Sequence, residues 1–332
     1  MILLTGATGY IGSHTWVELL NKNYSVIGID NLSNSSIEVL DQIKVITGLN
    51  PIFIEGDIRD GELIKHVFAS HPISHVIHLA ALKSPQESME IPREYFDCNV
   101  EGLAKVLCAM NESGCTKLIF SSSAAVYGDD AISPISESTN PYPANYYGET
   151  KLLAEELIQS KQNGPAPIRS AILRYFNIAG NHQSGLLKTK PLNAAHSLFS
   201  EIENVLTGNK KALEIFGDDW DTSDGTCIRD YLHVSDLASA HLDVIKTLDK
   251  SSNSFTINLG LGLGYSVKDV IHSYEEVADV KLNVRIANRR VGDVAICYAN
   301  IDKAKGLINW LPQKSLNDMC SDSFNTCNAV LF

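Results

Sequence analysis

The chain has 332 residues, of which 44% are hydrophobic and 20% charged, and its formal net charge is −12. That length and composition allow a sizeable core in one large or two moderate domains. The acidic balance argues against a nucleic-acid partner or an anionic membrane surface, since both need concentrated Lys and Arg.

The chain opens on an apolar run, MILL, which enters a glycine-rich turn and leaves it into a helical pattern over residues 13–20. Gly6, Gly9 and Gly12 have the spacing G-x-x-G-x-x-G. This suits a tight turn at Gly6, close approach of a pyrophosphate at Gly9 and close helix-to-strand contact at Gly12. A helix starting there points its free N–H groups at phosphate. A second apolar run, SVIGI, ends at Asp30, about where an acidic residue accepts hydrogen bonds from the adenosine ribose and repels a 2′-phosphate. NAD is therefore expected over NADP.

Further strands are predicted over 51–57 (PIFIEGD), 75–82 (HVIHLAAL), 117–128 (KLIFSSSAAVYG) and 169–177 (RSAILRYFN), with helical patterns between them. This alternation predicts an α/β fold with a doubly wound parallel sheet. Runs such as VIHLAAL lack polar alternation, as strands covered on both faces should. In such sheets ligands sit beyond the carboxyl ends of the strands, at Gly6, Asp30, Asp57, residues 80–83, 121–123 and 176–177. Beyond residue 180 the alternation weakens into a smaller α/β region. The reading divides the chain into 1–176 and 177–332, with segments such as 226–260 returning to the first part. A strand is predicted over 255–260, and Ser266 with Asp269 forms a capping pair.

In NYYGETKLLAEELI, Tyr147 and Lys151 lie four residues apart on a helical pattern, and so one turn apart on one face. A free phenol has a pKa of about 10, and a tyrosine that takes a proton near neutrality needs its anion stabilised. Lys151 can supply that charge. Ser123, at the end of the fifth strand, can hydrogen-bond a substrate hydroxyl or a developing carbonyl. An isolated Y-x-x-x-K is commonly no more than a helix face; joined to the glycine turn, Asp30 and the serine strand, it points to hydride transfer between a sugar carbon and NAD.

Seven cysteines, at 98, 108, 115, 227, 297, 320 and 327, contain no C-x-x-C pair. Neither a disulfide framework nor a metal site is expected, and reduced thiols suit a cytoplasmic protein. No charged leader with a cleavage site precedes the first strand, and no apolar run reaches membrane-spanning length. No membrane partner is expected.

The runs TGATGYIG, Asp30-Asn31-Leu32, SSSAAVYG, YYGETK and LRYFN, with GDIRD, AALKS, IFGDDWDTSDGTCIRDYLHVSDLA and RRVGD, cover nearly the whole chain. In these the sequence resembles the extended short-chain dehydrogenase/reductase family, and within it the enzymes that invert C4 of UDP-glucose and UDP-galactose. The resemblance implies tightly bound NAD and a 4-keto sugar, with Ser123, Tyr147 and Lys151 catalytic. It implies NAD contacts from Gly6, Gly9, Tyr10, Ile11, Gly12, Asp30, Asn31, Leu32, Ser33, Asn34, Ser35, Asp57 and Ile58. Leu79, Ala80, Ala81, Leu82, Lys83, Asn99, Tyr147, Lys151 and Phe176 complete that set. The UDP-sugar would meet Ser123, Tyr147, Asn177, Leu198, Phe216, Arg229, Arg290, Asp293 and Cys297. Cys297 takes the position beside the sugar C2 substituent, where a small side chain would admit N-acetylated UDP-hexosamines. The predicted helices over 93–111 and 147–162 match the pair through which the family forms homodimers.

Arg229 and Arg290 are fork-shaped donors suited to a diphosphate, though an ion pair of Arg229 with Asp230 or Asp293 is an equal alternative. The chain departs from the family at residues 187–191 (LKTKP), at 196–200 (HSLFS), at Ala125 and at Val291. A 4,6-dehydratase would need two carboxylates where the chain has Ala124 and Ala125. A uronate epimerase or decarboxylase stays open, as does a non-catalytic sensor of NAD or UDP-sugars.

Overall fold

The structure is a computed structural model that describes every residue except 164–165, 188–196, 291 and 332, and the side chains up to residue 327. Strands β1 (Ile2–Thr5), β2 (Val26–Asp30), β3 (Ile52–Glu55), β4 (His75–His78), β5 (Lys117–Ser123) and β6 (Arg169–Tyr175) follow the predicted order. With the strand Phe255–Leu259 they form a seven-stranded sheet in the order 255–259, β6, β5, β4, β1, β2, β3. Every pairing is parallel. The middle strands are buried along nearly their whole length because both faces are covered. One face packs against helix α1 (Tyr10–Asn21) through Trp16 and Val17, and against the helix Val234–Lys250. The other packs Leu3, Val76 and Leu118 against Ile64, Leu103 and Val106.

The helix Val234–Lys250 lies along α1 and leads into the strand Phe255–Leu259, which pairs beside β6 at the sheet's edge. Three small sheets lie outside: Asn177–Ala179 with Tyr231–His233, Tyr265–Ser266 with Ile228–Arg229 and Ile296–Cys297, and Leu213–Phe216 with Val284–Ala287. A further apolar cluster around Phe199, Tyr274 and Met319 supports them. The Ser266–Asp269 capping pair forms, Asp269 N–H donating to Ser266 Oγ at 3.0 Å and Ser266 N–H to Asp269 Oδ2 at 2.8 Å.

Several boundaries differ from the sequence reading: the strands expected over 51–57, 117–128 and 169–177 are Ile52–Glu55, Lys117–Ser123 and Arg169–Tyr175. Helix α1 starts at Tyr10 and not near residue 13. β4 stops at His78, and residues 79–82 leave the sheet although they are apolar. The helix predicted over 93–111 is Pro92–Phe96, a wide π turn at Asp97–Glu101 and Gly102–Ser113. That turn presents Asn99 to the loop after β4, and such turns occur often at functional sites.

Candidate active site

The glycine turn is built by exclusion. Gly6 has φ +67, and a Cβ there would stand 2.7 Å from Ala80 N. A Cβ on Gly12 would collide with the Gly6 carbonyl oxygen. The start of α1 is thereby pressed under the turn, and no side chain caps it at Gly9. The first-turn N–H groups at Tyr10, Ile11 and Gly12 are left directed outward, the arrangement that receives an anion. The Tyr10 hydroxyl is turned into the protein and donates to Gly180 O.

Asp30 organises the next loop. Its carboxylate accepts from Thr8 N at 3.2 Å, Leu32 N at 2.9 Å and Ser35 Oγ at 3.1 Å. Thr8 Oγ1 and Ser35 Oγ lie 2.7 Å apart, so the acidic loop and the glycine turn form one unit. Asn31 donates to Asp57 Oδ2 at 2.9 Å and accepts from Ser33 N at 3.0 Å. Arg59 also grips Asp57 in a fork, which holds that carboxyl well below its ordinary range. Asn34 adjoins this loop, while Ile58 is buried in the core beneath it.

Leu79, Ala80, Ala81, Leu82 and Lys83 form the wall next to Gly6. Asn99 is buried behind this wall. It accepts from Leu82 N at 2.8 Å and donates to Leu82 O at 3.0 Å and to Thr150 Oγ1 at 3.0 Å. Asn99 therefore holds the wall against the helix Tyr146–Ser160, with its amide engaged by protein groups.

That helix carries Tyr147 and Lys151. Asn145 caps it, accepting from Gly148 N at 3.0 Å, and Ser88 Oγ accepts from Tyr147 N at 3.0 Å. Lys151 is buried, and its ammonium donates to Ser121 O at 2.8 Å and lies 5.9 Å from the centre of the Tyr147 ring. Burial pulls its pKa down to about 8, against the fields of Cys98 and Glu155. Burial raises the Tyr147 phenol, and a hydrogen bond with Ser123 lowers it again. Ser123 Oγ also accepts from Ala125 N at 3.2 Å. The three residues predicted to do chemistry thus meet at the end of β5.

Beneath them lies a pair that the sequence reading missed. Arg174 grips Glu155 with bonds of 2.9 and 2.6 Å, and Ser122 Oγ donates to Glu155 at 2.5 Å. The signals were a glutamate one turn beyond Lys151 and an arginine inside the apolar run SAILRYF. Ser88 left no comparable signal.

The remaining predicted residues lie on and around the small outer sheets, where the paired strands of Arg229 and Cys297 form a second wall. Phe176 is buried in an apolar cluster with Val126 and Ile135, against which Ala124 and Cys297 pack. Cys297 is half-buried, and its strand pairs with Ile228–Arg229. Asn177 is exposed at the start of the strand Asn177–Ala179. Arg229 pairs with Asp293 at 3.3 Å, not with Asp230. It also donates to Ile228 O and Val294 O and hydrogen-bonds Cys227. Arg290 lies 3.7 Å over the Phe216 ring, and its guanidinium has no hydrogen-bond acceptor among the described residues. Leu198 packs with the cluster that holds Ile215, beside Phe216. Of the departures, residues 188–191, 196 and 291 lie outside the described residues, while Ser197 caps the helix Leu198–Leu206, accepting from Ser200 N at 3.1 Å. No cluster of His, Cys, Asp and Glu among the described residues could hold a metal, and no described helix is long and apolar enough to cross a membrane.

Known proteins share this fold. A UDP-glucose 4-epimerase of Bacillus subtilis (strain 168) is 42% identical over 323 residues, 97% of this chain and 95% of its own length. The crystal structure of UDP-glucose-4-epimerase from Stenotrophomonas maltophila, with bound NAD and formylated UDP-arabinopyranose, superposes with a TM-score of 0.97 at 39% identity, covering 99% of this chain and 98% of the other. That of UDP-glucose 4-epimerase from Bifidobacterium longum, in complex with NAD+ and UDP, gives 0.94 at 41% identity, covering 99% and 98%. The profile of the NAD dependent epimerase/dehydratase family matches residues 2–260, from β1 through the strand that closes the sheet beside β6. With the glycine turn, its acidic loop and the tyrosine–lysine helix all inside that span, the chain belongs to this family.

Proposed function

We propose that this chain interconverts UDP-glucose and UDP-galactose by inverting the sugar C4 centre, with NAD as its resident cofactor. The observation that carries the reading is the meeting of Ser123, Tyr147 and Lys151 at the end of β5, beside a glycine turn that side chains cannot fill. The uncapped start of α1 would hold the pyrophosphate and Asp30 the adenosine ribose. Residues 1–176, joined by 226–260, would form the cofactor-binding part, and the remainder of 177–332 the UDP-sugar part.

Bound NAD supplies a reversible hydride acceptor for the sugar carbon. Tyr147 takes the proton of the C4 hydroxyl and returns it, and the Lys151 charge below its ring favours the phenolate. Ser123 holds the same oxygen while it passes between hydroxyl and carbonyl. Arg290, with Arg229 beside it, holds the diphosphate. Because the hydride returns to the carbon it came from, net redox change is zero.

Cys297 favours a second substrate. Its small side chain narrows the site less than a tyrosine would, and N-acetylated UDP-hexosamines fit that opening. A homodimer through Pro92–Ser113 and Tyr146–Ser160 is part of the reading, as is a cytoplasmic setting for the free cysteines. Light scattering should report twice the chain mass at micromolar concentration, and a monomer there would remove the dimer from it.

The decisive test is conversion of UDP-galactose to UDP-glucose followed by NMR with no added cofactor. Wild type should convert, and Tyr147→Phe should be slower by about a hundredfold or more. Absence of wild-type conversion with NAD supplied would move the substrate to the acetylated sugars or uronates.

A further inference from the structure

Asp230 sits behind the second wall and is fully buried. Its main chain bonds in both directions: its N–H donates to Cys297 O at 3.1 Å, and its carbonyl accepts from Asn177 N at 3.0 Å. Its carboxylate accepts from Leu261 N at 2.6 Å, and from Gly262 N and Ala299 N at 3.0 Å each. A Cβ on Gly260 would collide with that carboxylate, so the glycine makes its room. One residue thus joins the strand Asn177–Ala179, the strand of Cys297 and the loop after the main sheet's last strand. Ala299 continues the connection by bridging to Ile135, in the segment between Ser123 and Tyr147.

We propose that Asp230 is a positioning residue for the UDP-sugar: its carboxylate ties the 261–262 loop to the segment at Ala299, its main chain holds Asn177 and Cys297, and together these bonds fix the spacing of Arg229, Cys297 and Asn177. The proposal rests on the reading that this wall contacts the UDP-sugar. The physical case is geometric. Three N–H groups converge on two oxygens, so only a group that accepts at both ends satisfies all of them. Burial pushes the pKa up to about 6, against the three amides, so the structure keeps a costly buried charge where an apolar side chain would pack. Asparagine would set its NH2 against a backbone N–H whichever way it turned, and would loosen one segment while filling the same space.

Asp230→Asn, compared with wild type in the UDP-galactose assay, should raise KM by about tenfold or more and leave kcat within about threefold, because the wall is gripped equally in ground and transition states. NAD content should not change. An unchanged KM, or a fall confined to kcat, would overturn the proposal. Should the variant not fold, amide exchange on wild type decides: saturating UDP should slow exchange at residues 261, 262 and 299 by about fivefold or more, and unchanged exchange would overturn the proposal equally. Wild type that binds UDP yet converts no UDP-sugar would refute the activity and leave this inference to be judged on the exchange alone.

Discussion

Lys151 places its ammonium 5.9 Å from the centre of the Tyr147 ring while donating to Ser121 O at 2.8 Å. The charge that would favour the phenolate is thus anchored to β5, and its burial is a cost borne by the fold. The folded protein releases the Lys151 proton near pH 8, below the unfolded value of 10.5. Between these limits the unfolded chain binds more protons, so this group's contribution to stability rises with pH. Below pH 8 the penalty is roughly 3 kcal/mol, and the bond to Ser121 returns about 1 kcal/mol of it. Lys151→Met should therefore be about 2 kcal/mol more stable than wild type at pH 7. Urea unfolding should show that advantage shrinking by pH 10, with conversion lost in the variant at both pH values.

Glu155 and Arg174 should behave as a pair. Glu155→Met strands a buried guanidinium and should cost about 3–5 kcal/mol. Adding Arg174→Met should recover most of that loss, as thermal melting of both variants would reveal.

Gly12→Ala puts a methyl against the Gly6 carbonyl. A loss of about 1–3 kcal/mol is expected, together with a fall in NAD content measured by absorbance after denaturation. Gly48 is the control, since a Cβ there would meet nothing within 4 Å while its φ is +73. Its change to alanine strains the backbone and should leave NAD content intact.

If Cys297 borders the sugar C2 as proposed, Cys297→Tyr should lower the ratio of UDP-GlcNAc to UDP-glucose turnover by about tenfold or more. An unchanged ratio in competition assays would remove Cys297 from the specificity wall.

The sheet was legible because its strands are buried on both faces and separated by helical patterns, and Gly6, Asp30, Tyr147 and Lys151 were legible because their spacing is local. What escaped depends on distant partners. Leu79 to Leu82 read as strand because they are apolar, yet Asn99 draws Leu82 out of the sheet from 17 positions further on. Asp230 read as a possible partner for Arg229, its neighbour in sequence. Its actual partners lie about 30 and 70 residues away, where no periodicity in the sequence points. Arg229 turned instead to Asp293, and only the fold chooses between two nearby carboxylates.

The strand Phe255–Leu259 covers the outer edge of β6, yet it leaves the ribosome about 80 residues after it. At ordinary synthesis rates that edge, next to the serine-bearing β5, stays open for roughly 4–16 s. During this interval β6 offers unpaired N–H and C=O groups to any passing strand. The nascent chain is therefore exposed to misassembly in the interval between its sixth and seventh main strands, and slowing translation there should reduce soluble yield without altering the finished enzyme.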